Sequence, residues 1–228
     1  MGIQAIFPKT LFTIGNVPIK DTVLQTWIVV AVLVGLAYWT RNRYRAWDPK
    51  SWQLVVETLV NYVEDLIVDI GGHTIPELVP YLTTMIGFIT IANLLGLLPL
   101  FQAPTRDLNT TIALALVSLG SSYALAIRSR GVVGWLKSFI EPVVFILPLN
   151  LLGHVSRVAS MSLRLFGNVV AGEIIGGVMF MLLPLLAPLP MNLLMSITGV
   201  LQALVFTVLT LVFMIDAMGE EEEASTSN

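Results

Sequence analysis

Six residues at helical spacing, Asn150, His154, Arg157, Met161, Arg164 and Asn168, follow one another at steps of 4, 3, 4, 3 and 4 inside a long apolar stretch. On a helix those steps place them along one face. Five of the six are polar or charged. An arginine at bilayer depth costs about 2.5–3.5 kcal/mol on insertion scales, so two in one stretch need a compensating partner or an aqueous cavity. The chemistry available to such a stripe is the handling of a charge: pairing with an anion or guiding an ion. Glu173 lies nine residues after Arg164. Nine steps of ~100° carry it to the other side of the same helix, so the two cannot pair within it and must address different neighbours.

The elements that position this stripe are apolar. The chain has 228 residues, 56% hydrophobic and 12% charged, with a mean hydropathy of +0.84. A soluble domain carries about a quarter charged residues, so the charge is roughly halved here, and the apolar residues fall in long runs. There is no cysteine, which excludes disulfides, thiolate metal sites and thiol catalysis. The first twenty residues show no apolar core followed by a small-residue cleavage site, so no signal peptide is expected.

The first span runs from about Val23 to residue 40 and ends at Tyr38 and Trp39, ahead of Arg41, Arg43 and Arg45, an aromatic belt followed by a basic flank. From Ser51 to Ile70, Leu54, Val55, Leu59, Val63, Leu66, Ile67 and Ile70 recur at three- and four-residue steps among Glu57, Asn61, Glu64 and Asp65. That pattern is an amphipathic surface helix. Spans resume over Leu82–Leu100 and Thr110–Ile127, joined by a polar loop in which Arg106 and Asp107 read as loop polars, with the lining of an entrance as the lesser alternative. Seven of the twelve basic residues flank one side of these spans, which assigns that side to the cytoplasm.

Val143 to Leu183 is a run of forty-one residues without a strong turn signal. A continuous helix of that length would be about 60 Å long, twice the ~30 Å hydrocarbon layer, so it either breaks into two spans or crosses at a tilt. Pro184, Pro188 and Pro190 then turn the chain into a last span, Met191–Met218, ahead of an acidic tail at 219–228 expected to be disordered. In the last span Asn192, Ser196, Gly199 and Gln202 form a milder stripe. Gln202 is expected to face inward and bond across near Asn168 or Arg164. His154 and Asn150 fit either packing polars or an ion path, and Arg157 fits either a path residue or a side chain snorkelling to the interface.

The run from Ser160 to Glu173, SMSLRLFGNVVAGE, resembles the signature of subunit a of the F-type rotary ATP synthase membrane sector. Asn93–Pro99 (NLLGLLP), Pro104–Asn109 (PTRDLN), Leu147–Asn150 and Leu201–Ala203 are similar to further motifs of that family, so the resemblance covers about Trp47 to Met218. Pro188–Met191 looks most like the chloroplast and cyanobacterial branch. The chain departs from the pattern at Val158, where proline is frequent, at Asn150, where many bacterial members have glutamate, and at Met195, where some carry a polar partner for the glutamate.

The resemblance implies an all-α membrane protein with about five transmembrane helices and one amphipathic surface helix, the last two long and steeply tilted. It implies a non-catalytic stator subunit beside a ring of c subunits and held by b-type peripheral stalk subunits; the lack of a targeting segment favours a bacterial plasma membrane over a thylakoid-type one. Arg164 would face the ring carboxylates; Glu173, Asn168 and Gln202 would line the path of H⁺ or Na⁺, with Glu173 in the outer channel. No cofactor, metal or nucleic acid is implied, and no phosphate-binding loop or nucleophile–base pair is present. A secondary transporter would need inverted repeats, of which the sequence has no sign. A purely structural membrane subunit with a paired arginine is the other reading.

Overall fold

The computed structural model describes residues 10–14, 17–41, 51–98, 101–138, 147–183 and 188–226. Arg43, Arg45, Lys50 and the turn at Pro184 lie outside the described residues. Two short antiparallel strands, β1 (Thr10–Ile14) and β2 (Val17–Lys20), open the fold where the sequence pattern assigns no element. Every element after them among the described residues is helical: α1 (Asp21–Arg41), α2 (Ser51–Gly71), α3 (Leu78–Leu95), a 3-10 turn (Pro104–Arg106), α4 (Leu108–Ser138), α5 (Leu147–Leu182) and α6 (Pro188–Thr226). Five of these helices, all but α2, are long and apolar enough to cross a membrane.

The core lies where α3 and α6 pack, with Leu82, Ile86 and Ile89 against Ala203, Phe206 and Leu211. α2 adds Val63 and Ile67 to it, and Glu64 and Asp65 on its other side are exposed, as its amphipathic pattern requires. Leu54, Val55 and Ile70, part of the expected apolar face, remain exposed. α2 stops at Gly72, whose φ of 73° takes the left-handed region open to glycine and lets its N–H donate to the Val68 carbonyl at 2.8 Å.

The forty-one-residue question resolves into one helix. α5 is unbroken over 36 residues, about 54 Å, well beyond the ~30 Å of a hydrocarbon layer. Only Met161 and Leu165 of α5 enter the core cluster, and few of its residues are buried, whereas α6 buries 44% of its apolar window. The spacing α5 keeps from α6 is set by small residues: a Cβ on Gly172 would stand 3.3 Å from Met195. α6 itself runs on to Thr226 where a disordered tail is expected, because glutamate and alanine are both good helix formers.

One close approach holds the polar loop down. A Cβ on Gly96 would stand 2.8 Å from the Cβ and 3.0 Å from the backbone nitrogen of Ala103. Gly96→Ala therefore forces the loop off α3 at a cost of about 1–3 kcal/mol. The expected result is a lower Tm of the detergent-purified chain; an unchanged Tm would show that the loop is not packed this way.

Candidate functional site

The second half of the loop between α3 and α4, residues 103–107, is buried rather than a solvated turn. Thr105, Arg106 and Asp107 are 0%, 3% and 5% exposed. The physical cause is a set of bonds drawn from distant parts of the chain. Asn93 on α3 donates to the Gly199 carbonyl of α6 at 2.9 Å and accepts from the Thr105 hydroxyl at 2.7 Å. Gly199 permits this, since a Cβ there would stand 3.1 Å from that of Asn93. Asp107 caps α4 by accepting from the Asn109 N–H at 3.1 Å. It also accepts from Lys20 Nζ at 2.9 Å and from the Thr22 hydroxyl at 3.1 Å.

Arg106 is delivered by this seating into a pair of carboxylates. Its Nη2 stands 3.5 Å from Asp21 Oδ2 and its Nη1 3.9 Å from Glu173 Oε2. Reading Arg106 and Asp107 as solvated loop polars thus needs correction: they are the buried members of two ion-pair groups, Asp21–Arg106–Glu173 and Lys20–Asp107. Next to Glu173 a cavity of about 30 Å³ is lined by Asn93, Asn168, Met195 and Thr198. Asn168 donates across to the Thr198 carbonyl at 3.3 Å.

The opposite end of α5 lines a larger cavity of about 300 Å³, bounded by Asn150, His154, Arg157, Tyr123, Phe213 and Asp216. Arg157 stacks 3.7 Å over the Phe213 ring and pairs with Asp216 at 3.4 Å. Tyr123 meets His154 edge-to-face at 5.5 Å. Asp216 escaped the sequence reading. The signal that could have found it is a lone carboxylate close to the end of an apolar run, Met191–Met218.

Arg164 belongs to neither cavity. Its side chain is exposed, its one hydrogen bond among the described residues is to the Ser160 hydroxyl at 3.3 Å, and no described carboxylate pairs with it. It lies nine residues from Glu173 and ten from His154, about 14 and 15 Å along the helix. Gly153, Ser156, Ser160, Gly167 and Ala171, all exposed, form a small-residue stripe around it. Gln202 is buried, 8% exposed. The cross-helix bond that Gln202 was expected to make is made one turn earlier, from Asn168 to Thr198.

Charged side chains placed inside long apolar helices, at two polar ends of one bundle, define a multi-pass helical membrane protein. The family described as ATP synthase A chain matches residues 23–215, and the chain belongs to that family. It is 39% identical over 209 residues to an ATP synthase subunit a 2 from Bradyrhizobium sp., covering 92% of this chain and 93% of the relative. It is 37% identical to an ATP synthase subunit a 2 from Picosynechococcus sp. (91% and 89% covered) and 31% identical to an ATP synthase subunit a from Legionella pneumophila (93% of each).

Proposed function

We propose that this chain is the ion-translocating stator subunit a of an ATP synthase in the bacterial plasma membrane. In this reading it supplies two half-channels for H⁺ or Na⁺ and presents Arg164 to a ring of c subunits, coupling ion flow to rotation and to ATP synthesis on other chains. It catalyses nothing alone and is held against the ring by b-type peripheral stalk subunits. The observation that carries the reading is the placement of Arg164: exposed, without a described carboxylate partner, and about midway along α5 between two polar cavities that do not meet.

The chemistry follows from charge. An exposed guanidinium at bilayer depth needs an anion, and the described residues offer it none, so the anion comes from a neighbour. A ring carboxylate that has just released its ion is such an anion. Arg164 attracts it while ionised and releases it once it is neutralised by the next ion. The same positive charge repels free cations and so separates the outer cavity at Glu173 and Asn168 from the inner one at Asn150, His154 and Arg157. Gln202, buried on α6, shapes the path between helices. The length of α5 lets it cross at a steep tilt and so follow the ring over several c subunits.

A cross-link tests the face. The chain has no cysteine, and Gly167 is exposed, with open space for 4 Å around the position a Cβ would take. Gly167→Cys should form a disulfide with a cysteine placed beside the c-subunit carboxylate, seen as one band at the summed mass. Leu36→Cys on α1, also exposed, should form none. Equal cross-linking from both positions, or none from Gly167, would remove the ring from this face.

A further inference from the structure

We infer that Arg106 is a positioning residue for the outer ion path, holding the Glu173 carboxylate electrostatically while leaving its oxygens free for the translocated ion. The inference rests on the outer-channel role proposed for Glu173. Three features of the molecule support it beyond that role.

First, the geometry is a hold without a hydrogen bond. Arg106 Nη1 and Glu173 Oε2 are 3.9 Å apart, beyond the range in which an N–H would occupy the acceptor. A carboxylate hydrogen-bonded by a bidentate guanidinium has its lone pairs committed; this one does not. The charge still acts across that distance, because the arginine side chain is 2% exposed and little screened by solvent.

Second, Arg106 is a poor structural pin. A buried arginine kept for packing spends its five donors on acceptors. Here the contact to Asp21 is long, 3.5 Å, and Nε has no acceptor among the described residues. Orphaned buried donors are uncommon and ask for a reason. The loop's attachment rests instead on its neighbours, through Thr105–Asn93 and Asp107–Lys20.

Third, those neighbours fix where the guanidinium can go. Thr105 is tied to α3, Asp107 to β2 and α1, and the backbone between them forms a single 3-10 turn. Arg106 is thereby presented to Glu173 on α5, whose own carboxylate lies beside the small cavity with Asn93, Asn168 and Thr198. Asp21, from the start of α1, shares the guanidinium and balances part of its charge.

ATP-driven ion pumping by the assembled synthase in proteoliposomes tests this, with assembly followed by co-purification. Arg106→Gln should slow pumping about tenfold, the size of a close charge-pair coupling, and Arg106→Lys, which keeps the charge, should recover most of the rate. The double variant Arg106→Gln/Glu173→Gln should be no slower than Glu173→Gln alone, because the arginine then has nothing to hold. Multiplying losses in the double variant would overturn the inference and leave Arg106 a structural residue. Glu173→Asp reads the same pair without touching the loop: one methylene shorter, it leaves the guanidinium's reach and should also slow pumping, whereas a full rate would overturn the inference even where Arg106→Gln fails to assemble. Normal pumping by Glu173→Gln is the separate outcome that removes the outer-channel reading itself.

Discussion

Arg164→Ala leaves the chain in the assembled complex and reduces coupled ion pumping by about 100-fold or more. The magnitude comes from the partner. Without Arg164, a ring carboxylate that has released its ion stays ionised at bilayer depth with nothing opposite, at a cost of about 2.5–3.5 kcal/mol, and each ~1.4 kcal/mol is tenfold in rate. Assembly survives because the side chain contributes little to the fold: it is exposed and its one described hydrogen bond runs to Ser160 of its own helix. Arg164→Lys should recover only part of the rate, since a point charge on a flexible stem cannot offer the planar fork a carboxylate accepts bidentately. Pumping measured beside co-purification separates the readings. A purely structural arginine would lose the complex; a pumping, assembled Arg164→Ala chain would end the stator proposal.

The long helices are legible in the sequence because nothing but hydrophobic burial decides them: five apolar runs become five spans, and the absence of a turn signal between Val143 and Leu183 becomes an unbroken α5. The polar stripe on α5 is legible for the same reason, as its period is a property of one helix. What stayed hidden was set by contacts between segments far apart. Arg106 meets Asp21 across 85 residues and Asp107 meets Lys20 across 87, and no local pattern encodes such pairs, so two buried ion-pair groups looked like a solvated loop. Asp216 was overlooked because its meaning comes from Arg157, 59 residues away on another helix. Gln202 faces inward as its stripe requires, but the atom that reaches Asn168 is a backbone carbonyl at Thr198, and a side-chain pattern says nothing about carbonyls.

The second large effect falls on a residue that carries no charge. Asn93→Leu roughly keeps the size of the side chain and removes both of its bonds, leaving the wholly buried Thr105 hydroxyl without this partner and the Gly199 carbonyl with only its bond inside α6. The stranded hydroxyl costs about 1–3 kcal/mol and the lost second bond to the carbonyl about 1 kcal/mol more, so about 2–4 kcal/mol is expected in all, read as a fall in Tm of the purified chain. Thr105→Val, which removes one of the two bonds, should cost about half as much. The loss reaches function by a route that can be followed. Asn93 seats the loop that carries Arg106 and, through Gly199, sets the distance between α3 and α6. Once it lets go, the guanidinium no longer has a fixed place opposite Glu173. Asn93→Leu should therefore slow pumping even at temperatures where the chain is still folded, and Thr105→Val should slow it less. If Asn93→Leu instead melts like the native chain, the loop is held by Lys20 and Asp107 alone, and the path from α3 to the outer carboxylate does not run through this asparagine.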